Sequence, residues 1–409
     1  MMVSDRILAT SLKIGSSAPV TLDRYVALGV GATALLPLPG ISVFTGSALA
    51  FLIMFPVLAP IVRQTPGLKV FAILGMLVII GASLANFVAG GSAGTVPSWD
   101  WLARPVSLLL SVAALAWSTQ HLGLRNSILI AIPAPLVFDW IARSSQGNDW
   151  KYSLSLWVTV GALVAIHKWS FAWRLPVLTV LIIVSALNGT RGIIAMLVIA
   201  ATVELLARGG RTRTRKTAMA VVGSGLAAIA AFQLAIVGAL GSSIQQTMLM
   251  QTEYGPLSIL RAARPESGGN LSLVFQDPWR FVISDSVTAE QAAIIRNSFS
   301  QVSRDPNSLY VSQNVLHGAE LHSIAADLWL HLGLFGLIAG FAAVVLFVVA
   351  AFRSVWIPSN LTFVGLFVSL RAIWDLMFSP ASDLRFWPLY ILLALYIIFE
   401  KGALGERSH

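Results

Sequence analysis

Residues 328–352 read LWLHLGLFGLIAGFAAVVLFVVAAF, twenty-five positions without a single Asp, Glu, Lys or Arg. Coiled as an α-helix, that stretch is about 37 Å long, enough to cross the roughly 30 Å hydrocarbon core of a bilayer. A surface helix of a soluble domain keeps one polar face for water, and this one has none. The same texture recurs along the chain, as apolar blocks separated by short polar punctuation. With about 20 residues needed per crossing, twelve blocks read as spans: 25–39, 41–62, 70–89, 105–120, 126–142, 153–167, 175–187, 192–207, 217–240, 328–352, 361–378 and 386–399. The expected fold is therefore all-α and polytopic.

Composition points the same way. Of 409 residues, 56% are hydrophobic and 11% charged, against roughly 25% charged in a soluble domain. That excludes a soluble globule, a disordered chain and a coiled coil. The absence of cysteine removes disulfides, thiolate metal sites and a catalytic thiol. Six histidines are scattered too widely to suggest a structural zinc site.

The formal charge of +9 invites a nucleic-acid reading, but most positive residues flank apolar blocks, where they orient helices. An even number of spans places both termini on one side. With the N-terminus inside, the inner segments hold 16 Lys and Arg and the short outer loops hold five. The positive-inside bias thus predicts cytoplasmic termini. Residues 1–24 read as a cytoplasmic tail, not a cleaved signal, because they lack a short apolar core followed by a small-residue cleavage site.

One segment breaks the rhythm. Residues 241–321 form a long stretch of mixed composition on the outer face, and loops of this length inside a compact protein are usually functional. Within it, Ala292, Ile295, Phe299 and Val302 recur at helical spacing, and Thr288 with Gln291 makes a capping box, so the loop is expected to be partly helical. The chain then divides into 1–240 with spans one to nine, 241–321 as an outer domain, and 322–409 with spans ten to twelve.

Ionisable groups at membrane depth cost about 2.5–3.5 kcal/mol each on insertion scales, so each is a candidate site. Arg191 stands in the very short turn Asn188-Gly189-Thr190-Arg191-Gly192 on the outer side, where positive residues are scarce. Its guanidinium either grips a lipid-borne phosphate in a two-pronged contact or snorkels to the interface. His322 opens the tenth span, and at 100° per residue it shares a stripe with Ala326, Trp329, Gly333, Gly336 and Gly340. The glycines admit a neighbouring helix, and an imidazole at the head of such a stripe is suited to accept a hydroxyl proton near neutral pH. Arg371 and Asp375, at i,i+4 inside span eleven, pair either as a structural clamp or as the lining of a sugar channel.

His322-Ser323, nine residues, Gly333, two residues and Gly336 resemble the motif of the O-antigen ligase family. Thr190-Arg191-Gly192 is similar to the Ser/Thr-Arg-Gly turn of the same superfamily, which also holds O-antigen and exopolysaccharide polymerases. The resemblance extends to about twelve spans with one large periplasmic loop between the ninth and tenth. It implies a fold like that of the membrane glycosyltransferases called GT-C, a multi-pass protein of the bacterial inner membrane, and an active site facing the periplasm. It implies an undecaprenyl-diphosphate-linked glycan as donor, lipid A–core or another glycan as acceptor, and no metal or nucleotide sugar.

Under that resemblance, Arg191 holds the donor diphosphate, His322 activates the acceptor hydroxyl, and Arg264 and Arg280 of the large loop assist with the diphosphate. A polymerase shares this donor but often carries a second sizeable outer loop, whereas residues 143–152 here are few. That favours a ligase. A transporter or flippase of the same lipid-linked sugar often shows paired repeats with broken helices, and the two halves of this chain have no internal similarity.

Overall fold

The computed structural model describes residues 20–38, 41–46, 66–89, 99–143, 147–207, 323–379 and 381–399, with isolated positions between 212 and 293. Its helices are α1 (Val20–Thr33), α2 (Pro66–Ala89), α3 (Trp99–Leu122), α4 (Leu124–Ala131), α5 (Pro133–Arg143), α6 (Ser155–Ile166), α7 (Phe171–Leu187), α8 (Arg191–Ala207), α9 (Ile324–Trp356), α10 (Thr362–Phe378) and α11 (Trp387–Phe399). A π-turn at Trp150–Leu154 leads into α6 and a 3₁₀ turn at Ala381–Phe386 leads into α11. Apart from one short hairpin, the regular structure of the described residues is helical.

Two helical runs, Leu124–Ala142 across α4 and α5 and Leu332–Trp356 in α9, are long and apolar enough to cross a membrane. Shorter apolar helices run through 67–81, 155–166, 171–187, 192–207 and 384–399. Of the expected spans, 47–62 lies outside the described residues, and 217–240 and the expected outer domain at 241–321 do so except for isolated positions.

The hairpin departs from the reading of spans one and two. Helix α1 ends at Thr33, and Pro37–Leu38 pairs antiparallel with Ile41–Thr45. Pro37 and Pro39 lack the amide hydrogens a helix needs, and Ile41, Val43 and Thr45 are β-branched, so this stretch suits a pleated conformation better. The first helix consequently starts five residues before the expected 25–39 span and ends six residues before its end, and the second apolar block begins as a strand.

Helix α9 is the second departure. It is not straight, because Gly333 sits at φ 57°, ψ −141°, a conformation open to glycine and strained for any residue with a Cβ. The chain doubles back there, so that a Cβ on Gly336 would collide with the backbone carbonyl of Leu328. Gly340 meanwhile comes to face Ala325, and a Cβ on Gly340 would lie 3.9 Å from that of Ala325. The glycines thus let the helix fold on itself, and the single stripe expected from His322 to Gly340 is interrupted at Gly333.

Close packing holds the bundle. Helix α9 lies along α10 and α2, α8 against α10, and α11 against α3. Gly81 of α2 gives room to the ring of Phe335, and Gly75 to Leu109. Trp157, Tyr390, Phe347, Phe363 and Phe367 are fully buried. Phe87, Leu187 and Trp173, in contrast, are 84%, 81% and 73% exposed, large apolar side chains on the outside of a helical bundle. That distribution fits a hydrocarbon surround better than water.

Candidate functional site

Helix α10 is apolar along most of its length, and its one acid, Asp375, is completely buried. A lone carboxylate at such a place is tolerated only when donors surround it. Four donor atoms do so: Arg371 Nε at 3.0 Å and Nη2 at 2.7 Å, Ser379 Oγ at 2.6 Å, and Tyr390 Oη at 3.2 Å. The i,i+4 spacing of Arg371 and Asp375 places the guanidinium fork flat against the carboxylate, one turn apart on the same face. The expected pair is therefore formed.

A second charged pair stands close by. Asp139 of α5, 3% exposed, accepts from Trp157 Nε1 at 2.7 Å and from Arg385 Nη1 at 2.9 Å. The Arg385 guanidinium also lies 4.6 Å from the centre of the Phe386 ring, in the range of a cation–π contact. Phe386 in turn meets Trp157 at 4.6 Å and stacks on Tyr390 at 6.4 Å. Tyr390 closes the route back to Asp375. Residues of five elements, two ion pairs among them, are thereby tied into one polar and aromatic cluster at one end of the bundle.

Two further points of the chain reach this cluster. The turn before α8 is tight: Gly189 has φ 69°, Thr190 Oγ1 donates to the Ser185 carbonyl at 3.0 Å, and Asn148 Nδ2 donates to the Asn188 carbonyl at 3.2 Å. It delivers Gly192 against α10, where a Cβ on Gly192 would lie 3.6 Å from Arg371 Nη1 and 3.8 Å from Trp374 Nε1. At the start of α9, Ser323 Oγ accepts from the Ala326 amide at 3.3 Å as an N-cap and donates to the Leu376 carbonyl at 3.2 Å. Asp327, in that first turn, is fully buried, a place where the helix dipole favours an anion.

Of the residues singled out from sequence, Arg371 and Asp375 are thus together in the cluster. Arg191 begins α8, and its side chain lies outside the described residues, as do His322, Arg264 and Arg280. Asp139 and Arg385 were not singled out. Asp139 is the one acid in the apolar block 126–142, and that isolation was the available signal. Its partner lies 246 residues away, beyond any local spacing rule.

The opposite end carries a separate buried pair. Arg174 Nη1 meets Glu204 Oε1 at 2.9 Å, with the two side chains 3% and 1% exposed. The same guanidinium donates to the carbonyls of Trp169, at 2.8 Å, and His167. Glu204 lies twelve positions along α8 from Gly192, about 18 Å of helix. The described residues thus define a helical bundle with two membrane-length apolar helices and buried charge pairs at both ends. Comparison with family models, with curated proteins and with solved structures returns no match.

Proposed function

We propose that this protein is a membrane glycosyltransferase of the O-antigen ligase type, acting in lipopolysaccharide biosynthesis at the bacterial inner membrane. In this reading the chain crosses twelve times, with both termini cytoplasmic and residues 241–321 as a periplasmic domain. The donor is a glycan on undecaprenyl diphosphate and the acceptor is a hydroxyl of lipid A–core. Polymerisation onto another lipid-linked glycan is the neighbouring activity, and it differs only in acceptor.

The observation that carries the reading joins the two sequence motifs. Gly192 of the Thr190-Arg191-Gly192 turn faces Arg371 and Trp374 of α10, and Ser323 of the His322-Ser323 motif bonds the Leu376 carbonyl of the same stretch. Segments more than a hundred residues apart in sequence thus share one neighbourhood, and it is rich in buried charge.

The proposed reaction needs only residues of the chain. His322 accepts the proton of the acceptor hydroxyl while that oxygen attacks the anomeric carbon from the face opposite the diphosphate. The new carbon–oxygen bond forms as the bond between the anomeric carbon and the diphosphate oxygen breaks. The electron pair leaves on the diphosphate, and the anomeric configuration inverts. Arg191, with Arg264 and Arg280, neutralises the charge that develops there, and such electrostatic stabilisation is usually the largest single contribution to catalysis. A positioned base adds about 10²- to 10⁴-fold.

Replacing His322 and, separately, Arg191 by Ala tests the proposal, with surface polysaccharide compared at matched protein abundance. Loss of product in both is expected, and undiminished product in both overturns the mechanism. In a deletion strain, accumulation of undecaprenyl-linked polymer supports ligation, whereas single-repeat products point to polymerisation.

A further inference from the structure

Helix α10 presents a second feature beside its buried ion pair. Arg371, Trp374 and Phe378 lie within about 60° of one another on the helix surface. In this stretch Ala372, Asp375 and Leu376 are buried, while Trp374 keeps 41% of its surface exposed. Its indole nevertheless has a neighbour on two sides. The edge bearing Cε2 and Nε1 faces Gly192, 3.8 Å from where a Cβ would stand, and the ring packs on Phe378 at 4.8 Å between centroids and 51° between planes. Arg371 turns Nε and Nη2 to Asp375 and Nη1 toward the same glycine.

We propose that Trp374 is a stacking platform for a pyranose ring of the diphosphate-linked glycan, kept in orientation by Gly192 and Phe378. The inference rests on the glycosyltransferase reading above and deepens it by assigning the site a sugar subsite. A pyranose offers one face of C–H bonds to an aromatic ring and keeps its hydroxyls at the rim for donors and acceptors. A partly exposed indole with a polar Nε1–H at one edge and a guanidinium one turn away matches both halves of that surface. An aromatic side chain fixed before binding also loses little conformational freedom when the ligand arrives. A tryptophan that merely anchors a helix at the membrane interface needs no such neighbour on either side.

The test uses the full-length chain in detergent, with a polyprenyl-diphosphate glycan as donor, lipid A–core as acceptor and the sugar-free polyprenyl diphosphate as comparison ligand. Trp374→Leu keeps an apolar side chain but removes the flat face. It is expected to raise KM for the glycan donor about tenfold, the equivalent of about 1.4 kcal/mol, while kcat and the affinity for the sugar-free lipid stay at wild-type values. Trp374→Phe restores donor KM to within about threefold of wild type. Phe378→Leu is the second variant should the first fail to fold, with a severalfold rise in donor KM expected.

An unchanged donor KM in Trp374→Leu, or in Phe378→Leu where that variant stands in, overturns the proposal. So does an equal loss of affinity for the glycan-bearing and sugar-free lipids, which would make Trp374 a contact for the lipid. A wild-type chain that binds neither ligand and transfers nothing sinks the glycosyltransferase reading itself, a result distinct from either of these.

Discussion

Arg174 offers the sharpest test of how this bundle is held together. Its guanidinium is 3% exposed and serves three acceptors: the Glu204 carboxylate and the carbonyls of Trp169 and His167. His167 is the C-cap of α6, so the cation also occupies the negative end of that helix. Arg174→Met keeps much of the volume and removes every donor. Glu204, 1% exposed, then loses its cation, and removing one member of a buried pair typically costs about 3–5 kcal/mol.

If each kcal/mol moves the midpoint by about 2 °C in a protein of this size, the variant should melt about 6–10 °C below wild type. The measurement is thermal unfolding in detergent followed by tryptophan fluorescence. The double variant Arg174→Met with Glu204→Leu removes both charges, and apolar replacement of a buried pair is often neutral or stabilising. It should recover most of the loss. A single variant that melts within 2 °C of wild type, or a double variant that recovers nothing, refutes the claim that unbalanced buried charge is what the pairing prevents.

Three further outcomes follow from named contacts. Gly336→Ala should abolish folding or cost at least about 3 kcal/mol, because the added methyl meets the backbone carbonyl of Leu328, whereas Gly340→Ala, with its nearest neighbours at 3.9–4.0 Å, should stay within about 1 kcal/mol; yield and midpoint in detergent separate the two. Asp139→Leu leaves Arg385 without its carboxylate and should cost about 3 kcal/mol or more, with Arg385→Met in the same chain recovering part of it, as a double-variant cycle of melting midpoints will read. Tyr390→Phe removes the 3.2 Å bond to Asp375 and should cost about 1 kcal/mol in the same assay, since three other donor atoms remain on the carboxylate.

Much of this was written in local sequence. Helices α2, α7, α8, α10 and α11 overlap apolar blocks marked out along the sequence, because the side chains and the helical hydrogen bonds that favour each helix belong to one segment. The Arg371–Asp375 pair was equally legible, since i and i+4 meet on any helix whatever surrounds it. The Thr190-Arg191-Gly192 turn also announced itself, as a short polar interruption between two apolar runs.

Other features depend on the packed structure. Nothing in the spacing of Asp139 and Arg385, or of Arg174 and Glu204, says that they pair, because a buried charge finds its partner through the packing of whole helices. The reversal at Gly333 was hidden for a similar reason. Glycine in an apolar run suits both a close helix crossing and a sharp bend, and only the surrounding contacts chose the bend. Each segment's own residues limit the conformations open to it. The approach of α5, α8, α9, α10 and α11 decided which of its charges stand together, because that distance is set by side chains the segment itself does not contain.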